Sequence, residues 1–127
     1  MGRCSNGQVH MKQIAIVTAL LAMMSPGFAQ NKNSTFTGEI MDKPCAQMHS
    51  HANMMQEEGA KDAKECTLKC LKDGASLVLF DPATKKVYAI ADEGKVKEYA
   101  GQHVQVAGTY DEGAQVLHVK SVTPGGK

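Results

Sequence analysis

The chain has 127 residues, a formal net charge of +1, four cysteines, eight methionines and no tryptophan. That length suits one domain with a modest core. Arg3 is its one arginine, which excludes the basic, arginine-rich stripe of a nucleic-acid binder and gives a strongly charged membrane or polyanion little to hold.

Residues 1–29 read as a cleavable secretory signal. Arg3 and Lys12 lie in a polar start that has no acid, Ile14–Met24 is apolar apart from Thr18, and Ser25-Pro26 leads to the small-x-small triplet Gly27-Phe28-Ala29. The apolar run is shorter than the roughly 20 residues a membrane-spanning helix needs. Met11-Lys12-Gln13 also reads as a start. Cys4 precedes the apolar run, where an acylated lipoprotein cysteine would not stand. The expectation is a periplasmic or secreted protein, free of the membrane after cleavage behind Ala29. Losing Arg3 and Lys12 leaves 12 basic and 13 acidic residues, a net charge of −1.

Residues 30–34 read as a flexible tether. Thr35–Met41 alternates, with Phe36, Gly38 and Ile40 on one side, and reads as a strand. Asp42–Ala60, with Pro44 and Gly59, reads as irregular. Asp62 and Glu65 form a capping box that starts a helix near Ala63, and Gly74 marks its end after Lys72 or Asp73. Ser76–Phe80 and Lys86–Ile90 read as strands joined by the turn residues Asp81-Pro82-Ala83-Thr84. Glu93–Ala100 reads as a short helix closed by Gly101. His103–Tyr110 and Gln115–Val122 alternate as strands across the loop Asp111-Glu112-Gly113. Residues 123–127 read as a flexible tail, so one domain spans residues 35–122.

This order implies a mainly β fold: a small five-stranded OB-like antiparallel barrel, with a helical insertion between strands 1 and 2 and a short helix between strands 3 and 4. The gaps are read as too short for parallel crossovers, which take about a dozen residues or more, so an antiparallel barrel or rolled sheet is expected. A five-stranded open sheet with one helix is the other reading.

Chemistry-bearing residues concentrate in the insertion. Cys45 is followed by His49 and His51. Cys66 and Cys70, four apart, share one helix face. Beyond residue 29 every methionine lies here, as Met41, Met48, Met54 and Met55. Cys45, His49, Cys66 and Cys70 would make a closed four-ligand metal site of the kind zinc uses structurally. His51, Met48, Met54 and Met55 are possible extra ligands, and thioethers would favour Cu(I). A disulfide from Cys45 to Cys66 or Cys70 is the competing reading, natural outside the cytoplasm. Three cysteines leave one thiol over in that case. A thiol oxidoreductase has the least support, because Cys-x3-Cys on a helix lacks the spacing of thioredoxin-like centres. His103 and His118 read as exposed strand residues.

The motif order Gly38-x-Ile40-x-Asp42, Cys45-x3-His49, Glu65-Cys66-Thr67-x2-Cys70 and Gly74-Ala75 resembles a group of small exported bacterial proteins usually left as a domain of unknown function. The resemblance covers about Phe36–Val122. It implies an exported OB-like domain whose distinctive residues are Cys45, His49, Cys66 and Cys70, and it implies no reaction. The chain departs from a lean version of the pattern at Met48, His51, Met54 and Met55, which keeps copper beside zinc. The expected function is an exported, non-enzymatic binding module with a Cys/His site, holding a soft metal such as zinc or copper and no nucleic acid. The alternative is a disulfide-pinned domain that binds a protein or small ligand on its barrel face.

Overall fold

A computed structural model describes residues 33–125. The secretory signal read in residues 1–29, Cys4 with it, lies outside the described residues. Among those described, no helix is long and apolar enough to cross a membrane.

The chain is mainly strand. The strands are β1 (Ser34–Asp42), β2 (Leu77–Asp81), β3 (Lys86–Ile90), β4 (His103–Asp111) and β5 (Val116–Pro124). Between β1 and β2 lie three helices: α1 (Lys43–Gln47), α2 (Ala52–Glu58) and α3 (Ala63–Lys72). Between β3 and β4 lie α4 (Glu93–Val96) and a 3-10 turn over Lys97–Tyr99. β5 continues through Thr123 and Pro124, which pair with Gln105 and Val104, so regular structure reaches further than the alternation to Val122 suggests.

The five strands make one mixed sheet whose pairings run in a ring, β1-β2-β3-β5-β4 and back to β1. Every neighbour pair is antiparallel except β3 with β5, which is parallel at Ala89↔Val116 and Ile90↔Leu117. The expectation of a wholly antiparallel arrangement is therefore corrected. The β1–β2 gap, with three helices, and the stretch between β3 and β5, with α4 and β4, both hold enough chain for a crossover, so gap length does not exclude parallel pairing here.

Alternation along β1 and β2 builds two cores on opposite faces of the sheet. Ile40, Leu77 and Leu79 point into the ring, where they meet Ile90, Val96, Val104, Val106, Leu117 and Val119. Met41, Val78 and Phe80 point outward and pack with Cys45, Ala46, Met54, Cys66 and Cys70 of the insertion. β2 is thus buried on both faces, which is why Leu77-Val78-Leu79-Phe80 is a continuous apolar run.

The insertion is more regular than its composition suggests. Pro44 sits in the first turn of α1, where its missing N–H is no loss. Gly59 ends α2 in the left-handed conformation (φ 62°). α3 begins where expected, with Asp62 Oδ1 accepting from the Glu65 N–H at 2.8 Å. The Glu65 carboxylate reaches back to the Lys61 N–H at 3.0 Å, one residue before the cap. Lys69 on α3 donates to the Glu58 carbonyl at 2.9 Å, which fixes the end of α2 against it.

Gly101 seats α3 against the ring. Its φ is 72°, and a Cβ there would lie 2.5 Å from the Lys64 backbone nitrogen. Only glycine gives both the turn and the close approach. Its N–H donates to the Ile40 carbonyl at 2.7 Å, joining this corner to β1.

Candidate metal centre

The site forms where β1 runs into α1. Asp42 ends the strand and caps the helix, Oδ2 accepting from the Cys45 N–H at 3.0 Å. That bond aims α1 so that Cys45 and Ala46 face the outer core. The chain then reverses through His49, whose backbone is left-handed at φ 56°. The reversal sends the two histidines different ways. His49 stays exposed and stacks on Phe80, with ring centroids 5.3 Å apart and planes 16° from parallel. His51 turns inward and is 9% exposed.

Asp42, Cys45, His51 and Cys66 converge, with one potential ligand atom from each lying within 4.8 Å of all the others. The Cys45 and Cys66 sulfurs are 4.0 Å apart. Two metal–sulfur bonds of about 2.3 Å at a tetrahedral angle set sulfurs about 3.8 Å apart, so little movement separates this geometry from ligation. A disulfide, at about 2.05 Å, would ask the sulfurs to close by about 2 Å, and both thiols are free.

Three buried side-chain oxygen or nitrogen atoms among the described residues have no hydrogen-bond partner: Asp42 Oδ1, His51 Nδ1 and Thr67 Oγ1. Two belong to the quartet, and Thr67 follows Cys66 in α3. A buried polar atom left unpaired costs about 1–3 kcal/mol, so native folds rarely keep several together without a reason. A bound cation would give both quartet atoms a partner.

The other halves of these side chains are already engaged. Asp42 Oδ2 caps α1. His51 Nε2 meets Glu39 Oε1 at 2.9 Å. A carboxylate on one ring nitrogen is the usual outer-sphere support of a metal-bound histidine, which coordinates through the other nitrogen. Glu39 also lies 3.7 Å from His103, which is 60% exposed.

Burial pushes the Cys45 thiol far above its ordinary range, and the neighbouring Asp42 carboxylate adds to this. Burial also raises Cys66, while its hydrogen bond with Cys45 acts the other way. A cation would reverse the balance by stabilising both thiolates.

The expected quartet Cys45, His49, Cys66 and Cys70 is thus assembled only in part. Cys45 and Cys66 meet. Cys70 lies one turn along α3, buried in the same apolar cluster and outside the convergent group. Met54 packs in that cluster, Met55 lies against it, and Met48 is 45% exposed at the surface. His51, not His49, joins the convergent group, and Asp42 at the end of β1 is its fourth member. Away from this centre, a surface groove of about 540 Å³ runs along β2 and β3, with Lys43, Lys86, Tyr88 and Tyr110 in its lining.

No protein-family model matches the chain, and neither curated proteins nor solved structures contain a significant match.

Proposed function

We propose that this protein is an exported, non-enzymatic module that binds one borderline-soft divalent ion, zinc by preference, through Asp42, Cys45, His51 and Cys66. The observation that carries the reading is the convergence of Asp42, Cys45, His51 and Cys66, with the two sulfurs at near-ligand spacing and with Asp42 and His51 each holding a buried atom that lacks a partner. Two sulfurs, an imidazole and a carboxylate suit zinc. Four protein donors leave no open position, which favours a structural or carrier role over a catalytic one. The ring order and the helix between β3 and β4 support an OB-like barrel as the scaffold.

Cu(I) is the second reading, favoured by Met41 and Met54 in the same buried cluster as the cysteines. The groove on the ring's face supports the alternative, a small-ligand module, less strongly, because its lining holds no such orphaned atoms.

The test is anaerobic titration of reduced protein with Zn²⁺ and Cu(I), with elemental analysis, on wild type, Cys45→Ser and His51→Ala. One equivalent of zinc in wild type and a large loss of affinity in both variants are expected. No uptake by wild type, or equal affinity in all three, refutes the proposal.

A further inference from the structure

Cys45 and Cys66 come from different helices, 21 positions apart, yet their sulfurs face each other at 4.0 Å with both side chains fully buried. The pair is therefore within reach of two chemistries. An ion asks the sulfurs to stay near their present spacing, and a disulfide asks them to close by about 2 Å. α1 is a single helix of five residues, while α3 has ten, so the shorter helix is the natural one to shift.

We infer that Cys45 and Cys66 form a redox latch on the metal centre: as two thiolates they hold the ion, and as a disulfide they release it. This rests on the metal-binding reading above. The two states exclude each other because they use the same sulfurs. A disulfide sulfur is no longer a thiolate donor, and Asp42 and His51 alone are two donors for a four-donor ion. Release also leaves Asp42 Oδ1 and His51 Nδ1 buried without partners. That penalty falls on the ion-free protein, whether dithiol or disulfide, and favours the loaded dithiolate wherever the ion is available.

The oxidant is a disulfide-bearing compound such as glutathione disulfide. Its S–S bond breaks, the Cys45–Cys66 bond forms, and two electrons pass from the protein thiolates to the reagent. Two protons from solvent complete the two glutathione thiols, and the divalent ion leaves with its charge unchanged.

The ion binds the reduced form alone, so above its dissociation constant each tenfold rise in free zinc favours that form tenfold. For a two-electron couple this raises the midpoint potential by about 30 mV.

The experiment equilibrates purified wild-type protein in glutathione buffers of graded poise, at three chelator-set levels of free zinc spanning a hundredfold. After acid quenching, peptide mass mapping reads the Cys45–Cys66 link. The expected result is that link at oxidising poise, with a midpoint rising by about 60 mV across the zinc series. The latch is overturned if no Cys45–Cys66 disulfide forms at the most oxidising poise. It is equally overturned if reduced protein takes up zinc while the midpoint stays fixed. A reduced protein that takes up no zinc removes the metal reading itself, and the latch falls with it.

Discussion

Glu39 is the residue whose removal separates a built metal centre from a chance convergence of donors. It is outside the convergent quartet, yet its carboxylate holds His51 Nε2 at 2.9 Å, with the two side chains 18% and 9% exposed. In Glu39→Ala the ring loses its fixed proton position and orientation, and its Nε2–H stays mostly out of reach of water. Loss of an outer-sphere carboxylate typically lowers metal affinity 10- to 100-fold, or about 1.4–2.7 kcal/mol. The near-burial of this pair puts the expected loss toward the upper end, because a stranded buried donor itself costs about 1–3 kcal/mol. Glu39→Gln keeps an acceptor without the charge and should fall between the alanine variant and wild type. Competition against a chromophoric zinc chelator reads all three constants, with His51→Ala as the reference for complete loss of the ligand. If Glu39→Ala binds zinc as tightly as wild type while His51→Ala does not bind, the carboxylate does not orient the ring and the outer-sphere argument fails.

His49→Ala should leave zinc affinity unchanged while lowering stability by about 0.5–1 kcal/mol through the lost stack on Phe80. A chelator titration beside urea unfolding reads both, and a tenfold loss of zinc affinity would put His49 back among the ligands. The metal-free protein should lose stability as pH rises above about 8.5, where thiols of the unfolded chain ionise. Cys45 and Cys66 are raised in the folded state, so their contribution is complete below that pH. It then drains by up to about 1.4 kcal/mol per pH unit for each thiol that stays protonated. Urea midpoints from pH 8 to 10 should fall more steeply for wild type than for a Cys45→Ser, Cys66→Ser double variant, and parallel profiles would contradict this.

Legibility in the sequence followed the range of the forces involved. α3 was readable because Asp62, Glu65 and Gly74 act on backbone groups a few residues away. β3 ends where the turn residues and alternation place it. α1 and α2 were hidden because Pro44 and Gly59 read as breakers, whereas each stands at a helix end that accommodates it. The parallel pairing of β3 with β5 joins residues that local spacing does not relate. At the centre, Cys45 and Cys66 were legible from residue type and helical position. The choice between His49 and His51 was not, since the left-handed turn at His49 decides which ring faces inward. Asp42 stands in the run Gly38-x-Ile40-x-Asp42, whose spacing does not mark it as a donor. One of its oxygens caps α1, and only the fold brings its carboxylate together with His51 and the two cysteines.

The position of the quartet bears on why a chain of this size would carry one. The ring is held by backbone pairing on all five strands and by its own interior cluster. The insertion from α1 to α3 has no such ladder. It rests on the smaller outer cluster, and two of that cluster's members are Cys45 and Cys66. A domain this small buries too little apolar surface to secure a long excursion cheaply, and metal ions or disulfides commonly supply the difference. An ion joining Asp42, Cys45, His51 and Cys66 would tie the end of β1, the turn after α1 and the body of α3 at a single point. It would close the insertion near its root, so that unfolding this layer would require giving up the ion. The donors lie in the outer cluster and not inside the ring, which is the placement expected of a staple for the insertion.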